Sequence, residues 1–136
     1  MSLYLCAMDC RDGGDRELDG VEVGSYGYFG AFRECVCRYV EDGQWGSRCP
    51  VLMRHSDCDG TFTPEECRAL TDELALIYRT FSALPPDSAI TEKQGREGDF
   101  ANLCECFGDI DGVSLIERLY GLCQCAAEAG VPVYFQ

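Results

Sequence analysis

The densest set of reactive side chains in this 136-residue chain is the run His55-Ser56-Asp57-Cys58-Asp59-Gly60-Thr61-Phe62-Thr63-Pro64-Glu65-Glu66. With Gly60 at the glycine position of a calcium loop, Asp57 and Asp59 fall on ligand positions before it, Phe62 on the apolar position, and Thr63 and Glu66 on the last two ligand positions. The first ligand fails, because His55 stands where an aspartate is expected and a hard cation disfavours imidazole. Glu66 also completes the pattern Thr63-Pro64-Glu65-Glu66, in which threonine caps a helix, proline takes the first helical position and glutamate reaches back to the cap. The competing reading is therefore a strand-to-helix turn, with Asp59 and Gly60 supplying its geometry and Thr63 its cap.

A second D-x-D-G pattern, Asp109-Ile110-Asp111-Gly112, also precedes a capped helix. If both turns lie at one edge of a sheet, His55, Asp57, Asp59, Asp109 and Asp111 form a divalent-cation site or the centre of a metal-dependent enzyme. Each pair is also explained singly, since aspartates are favourable near helix N-termini. His55 is the single histidine, no partner base stands out for it, and no G-x-S-x-G, P-loop or dinucleotide fingerprint is present. The expectation is no enzyme and no cofactor. Zinc is not expected either, because Cys35/Cys37, Cys104/Cys106 and Cys123/Cys125 are C-x-C pairs rather than knuckle spacings. Tyr26, Tyr28 and Trp45 are candidate recognition residues, the tyrosines read as exposed beside a core formed by Phe29 and Phe32.

These residues need elements to position them. Leu3–Met8 reads as a short apolar strand, residues 18–24 as a turn and second strand, and Cys49–Arg54 as a third with proline at its start. Ser25 caps a helix carrying Phe29, Phe32, Val36, Tyr39 and Val40 and ending near Asp42-Gly43. The strongest helix starts at Thr63, lines up Cys67, Leu70, Leu74, Ile77, Tyr78, Phe81 and Leu84, turns Arg68, Asp72, Glu73 and Arg79 mostly elsewhere, and stops at Pro85-Pro86. Residues 87–99 read as a surface excursion, and 103–110 as either helix or strand. A last helix over 114–129 carries Ile116, Leu119, Cys123 and Ala126 behind a second capping-box pattern, Ser114 with Glu117, and ends at Gly130 before a strand at 131–135. The expected fold is α+β or α/β: one domain with a small mixed β-sheet against about three helices.

Hydrophobic residues make up 46% of the chain and charged residues 26%, which fits a globular domain. The 24 acidic and 11 basic residues give a net charge of −13. The imbalance is spread over both halves, so the folded surface itself is acidic. That excludes a nucleic-acid binder working by phosphate neutralisation and favours a basic partner. Eleven cysteines suggest a disulfide scaffold at first sight. Their odd number, their placement within apolar patterns and an N-terminus without a basic leader point instead to reduced, mostly structural thiols in a cytoplasmic protein. No uncharged run is long enough for a membrane span.

Several blocks together carry a resemblance. They are Leu18-Asp19-Gly20-Val21-Glu22-Val23-Gly24-Ser25-Tyr26 with Phe29 and Phe32, Gly46-Ser47-Arg48 with Pro50, His55 to Gly60, Asp109 to Gly112 with Leu115, Glu117, Arg118 and Leu119, and Val131 to Phe135. In these the chain resembles the immunity protein 70 family of bacterial polymorphic-toxin systems, over nearly its whole length. The resemblance implies one immunity-protein-like domain over residues 1–136, a cytoplasmic antitoxin that binds and neutralises a cognate toxin without catalysis. Joined to the acidic surface, it makes Tyr26, Tyr28, Trp45, His55, Asp57, Asp59, Asp109 and Asp111 the candidate interface with a basic toxin. The alternative is a divalent-cation-binding protein or metal-dependent enzyme, with Asp57, Asp59 and Glu66 as metal ligands.

Overall fold

A computed structural model describes residues 2–93, 95–96, 98–108 and 111–136. The chain opens with a hairpin. Strand β1 (Ser2–Asp9) pairs antiparallel with β2 (Arg16–Ser25) around a 3-10 turn at Arg11–Gly13. Helix α1 (Tyr26–Tyr39) follows directly, with the Ser25 side chain accepting from the Tyr28 N–H as N-cap. Then come the short helix α2 (Pro50–Arg54), strand β3 (Thr61–Phe62), the long helix α3 (Pro64–Ser82), the short helix α4 (Ser88–Lys93), helix α5 (Leu115–Ala129) and strand β4 (Val133–Phe135). A 3-10 turn at Cys104–Cys106 lies between α4 and α5.

The sheet runs β2-β1-β4-β3, and each of its pairings is antiparallel. The α+β architecture therefore holds, with an antiparallel rather than a mixed sheet. The connection from β1 to β2 is too short for the crossover a parallel pair needs. Leu3, Leu5, Ala7, Val21, Val23, Phe62, Val133 and Phe135 face the helices and join Phe29, Phe32, Leu74, Ile77, Phe81, Leu119 and Leu122 in one core. Phe32 sits at its centre, edge-on to Phe81 (6.1 Å between ring centres) and to Phe107 (5.3 Å). Tyr4, Cys6, Met8, Glu22 and Tyr134 occupy the opposite face of the sheet, as strand alternation requires. On the edge strand β2, the Gly20 N–H donates to Asp19 Oδ1 (2.9 Å) and the Gly20 carbonyl accepts from Arg118 Nη2 (2.7 Å). Side chains thus occupy backbone groups that an edge would otherwise offer to another strand.

Two segments depart from expectation. Residues 50–54 form helix α2, not a strand: Pro50 takes the first helical position and a distant carboxylate caps the turn, as described below. The excursion at 87–99 contains α4. Of the ambiguous stretch 103–110, the 3-10 turn accounts for Cys104–Cys106, and Asp109 and Ile110 lie outside the described residues. The capping box at α3 is present in both directions, Thr63 Oγ1 accepting from Glu66 N–H and Glu66 Oε1 accepting from Thr63 N–H. At α5 the Ser114 side chain accepts from the Glu117 N–H, and Gly130 closes the helix at φ 69°.

Candidate functional site

The His55–Gly60 turn is built from the protein's own bonds. The His55 ring stacks on Phe135 (4.3 Å between ring centres, 18° between planes) and leans on Phe62 at 4.4 Å. Its Nδ1 lies 2.7 Å from the Ser56 carbonyl and its Nε2 2.9 Å from the Thr61 carbonyl. The Gly60 carbonyl accepts from the Phe135 N–H, tying the turn to β4. Gly60 has φ 89°, and a Cβ there would reach 3.4 Å from the His55 ring, so both backbone and space select glycine.

This geometry bears directly on the calcium-loop alternative. The carbonyl of Thr61, which would be a ligand, already lies 2.9 Å from His55 Nε2, and Thr63 and Glu66 are engaged with each other in the capping box. Asp57 and Asp59 are exposed. Among the described residues, no group of three or more His, Cys, Asp or Glu side chains is arranged to hold a metal ion. The turn and cap account for the motif.

Behind the turn lies a group the sequence reading missed. Arg33 of α1 is buried, and its Nη2 donates to the Met53 carbonyl and, at 3.0 Å, to the His55 carbonyl, both at the C-terminal end of α2. Its guanidinium lies between the rings of Phe29 (5.4 Å) and Trp45 (5.2 Å). Desolvation lowers its pKa from the ordinary arginine value, with the Asp57 charge acting the other way. Trp45 donates its indole N–H to the same Met53 carbonyl at 2.6 Å yet stays 47% exposed. Arg33 therefore joins Trp45 and His55, two of the candidate residues, into one fixed ledge.

Two buried carboxylates complete the support. Glu41 accepts from the N–H groups of Gly46 (3.0 Å), Arg48 (2.9 Å) and Cys49 (2.9 Å), holding the loop that presents Trp45. Glu73 of α3 accepts from Val51 (3.1 Å) and Leu52 (3.0 Å), the unpaired donors of the first turn of α2. Glu73 thus faces inward, contrary to the expectation that it turns away from the apolar face. The signal was its spacing, three residues after Leu70 and four before Ile77.

The remaining candidates lie apart. Tyr28 is not an exposed recognition residue: it is 6% exposed, and its hydroxyl donates to the Gly108 carbonyl and accepts from the Gly108 N–H, both at 2.7 Å. Tyr26 is half-buried against the core. Asp111 is exposed beside Gly112, and Asp109 is outside the described residues. A separate apolar cleft of about 340 Å³ lies between α3 and α5, where Tyr78 and Tyr120 are exposed over Leu74 and Ile116. No helix among the described residues is long and apolar enough to cross a membrane.

The sequence model of immunity protein 70 matches residues 3–135, from the first strand through the last. The chain belongs to the immunity protein 70 family. The match spans the His55 turn, the Arg33–Trp45 ledge and both strands that flank them, so the immunity protein 70 region includes every element described above. Neither the comparison with curated proteins nor that with solved structures gives a match.

Proposed function

We propose that this chain is an antitoxin that neutralises a cognate polymorphic toxin in the cytoplasm by direct protein contact, with no catalytic step and with residues 1–136 acting as one domain. The observation that carries the reading is the family match over residues 3–135. The charge of −13 supports a basic toxin as partner, because an acidic surface raises the rate of encounter with a cationic one. The exposed candidates Trp45, Asp57, Asp59 and Asp111 belong to the contact surface in this reading. Trp45 has the strongest physical case, since its hydrogen bond and its stack on Arg33 fix the ring before any partner arrives.

The test is co-expression with the toxin encoded beside the gene. Growth should be restored in proportion to the amount of antitoxin, and a stoichiometric complex should co-purify. Protection by a small fraction of an equivalent, with no complex recovered, would point to catalysis on the toxin and remove the contact mechanism.

A further inference from the structure

The face of the sheet turned away from the helices has a composition of its own. Along β1 it presents Tyr4, Cys6 and Met8. Their neighbours across β2 are Glu22, Gly20 and Glu17, and on the other side Cys6 faces Tyr134 of β4, which faces Thr61 of β3. None of these positions is a lysine or arginine, and both glutamates are exposed. The hairpin that joins β1 to β2 adds Asp12 and Asp15, both exposed. Of the two arginines in this stretch, Arg11 is engaged with Asp9 (2.9 Å) and the Ala129 carbonyl (3.2 Å), and Arg16 lies opposite Asp9 in the ladder, on the register of Ala7 rather than of Met8.

The aromatic groups on this face are held in place. Tyr4 donates its hydroxyl to Glu17 Oε1 at 2.5 Å, and its ring crosses Gly20 so closely that any Cβ there would strike the phenol. The Tyr134 hydroxyl lies 3.7 Å from Cys10 Sγ, and Gln136 Nε2 donates to Cys6 Sγ at 3.4 Å. Cys6 is only 1% exposed although it is not part of the helix-side core, so side chains on this open face must cover it. Such a surface loses little conformational freedom on binding.

We infer that this open sheet face is a further docking surface, separate from the Trp45 ledge, and that it takes a cationic, arginine- or lysine-bearing segment of the partner. Two tyrosine rings offer faces for a guanidinium or ammonium group, and Glu17 and Glu22 offer its counter-charges. A second copy of the chain would bring like charges together, and a purely apolar segment would desolvate two carboxylates without pairing them. The face continues into the His55 turn through Thr61 and the Gly60–Phe135 bond, so Asp57 and Asp59 stand at its border. The identity of the partner rests on the toxin-neutralising reading; its chemistry does not.

Two measurements on the full chain test this. In the first, the isotope-labelled protein is titrated with a deca-arginine peptide while backbone amide signals are followed. Saturable shifts centred on Tyr4, Glu17, Glu22 and Tyr134 are expected, and shifts centred instead on the Tyr78–Tyr120 cleft or on the Trp45 ledge overturn the assignment. In the second, affinity for the toxin encoded beside the gene is compared between the wild type and the Glu17→Gln/Glu22→Gln double variant, with circular dichroism as the folding control. A loss of about tenfold or more is expected, and an affinity within about twofold of wild type overturns the assignment. Met8→Lys, which places an opposing charge on the same face, serves in place of the double variant if that one does not fold. If the toxin does not bind the wild type, the proposed function fails and the peptide titration alone decides the surface.

Discussion

Glu41 and Glu73 grip the same short segment from two sides: between them they accept five backbone N–H bonds from Gly46, Arg48, Cys49, Val51 and Leu52. Both carboxylates are buried, and neither forms a salt bridge among the described residues. Backbone amides alone compensate their desolvation. The loop that holds Trp45 and the helix that ends at His55 are thereby fixed to α1 and α3 rather than by their own propensities.

Replacing Glu41 by glutamine keeps its size but turns one acceptor into a donor facing an N–H. Unfolding in urea should show a loss on the order of 3 kcal/mol, the cost of leaving buried donors unpaired and of losing charge-assisted bonds. A loss below about 0.5 kcal/mol would mean that water satisfies these donors.

Glu73 carries a pH signature as well. Burial raises its carboxyl above the ordinary value, the bonds from Leu52 and Val51 pull it back, and the nearby Glu41 charge raises it further. The folded chain therefore holds this proton more tightly than the unfolded chain. Its contribution is full below the ordinary carboxylate range and is lost as pH rises through the raised value. Glu73→Gln should be less stable than wild type at neutral pH yet show a shallower fall in stability from acid to neutral pH, read from urea midpoints across that range.

The Tyr4 phenol is pushed up to about 12, first by its hydrogen bond to the Glu17 carboxylate and then by desolvation. The folded value lies above the unfolded one, so the stability this group adds is present below about pH 10 and disappears toward pH 12. Absorbance titration of the seven tyrosines should contain a late phenol that Glu17→Gln brings back toward the ordinary value. A titration unchanged by that substitution would mean that the bond does not persist in solution.

Cysteine behaviour divides by depth. Burial pushes Cys49 up to about 12 and the half-buried Cys35 up to about 11; Cys6, Cys67, Cys104, Cys106 and Cys123 are buried like Cys49, whereas Cys10 and Cys58 are exposed. Thiolate is the reactive form and access limits the rest. Alkylation of the native protein with peptide mapping should mark Cys10 and Cys58 first and reach the buried set only on unfolding. Early labelling of Cys49 would contradict the packing of α2.

The parts of the fold legible in the sequence are those set by local chemistry. Thr63 and Glu66 announce α3 by a bond pattern confined to four residues, and Gly130 ends α5 because only a left-handed residue fits there. Residues 50–54 were not legible, since a short apolar run suits strand or helix equally and the deciding cap, Glu73, comes from more than twenty residues away. Tyr28 is a parallel case: its phenol is satisfied by Gly108, eighty residues on, which no local pattern reveals. Among the site residues, the sequence shows the acids and Trp45 but not Arg33, whose role exists only once α1 and the end of α2 meet.

Arg33 should be detectable through Trp45, the single tryptophan of the chain. Arg33→Met removes the guanidinium stacked on the indole, frees the His55 carbonyl and leaves the Met53 carbonyl to Trp45 alone. Tryptophan emission should then shift to longer wavelength and lose anisotropy, with a stability loss of about 2 kcal/mol for the charge-assisted bonds and the stacking together. Arg33→Lys keeps the charge but not the planar group, and should recover less than half of the effect because a single ammonium cannot serve both carbonyls and the ring. Full recovery by lysine would show that charge alone holds the ledge and that the stacking on Trp45 is incidental.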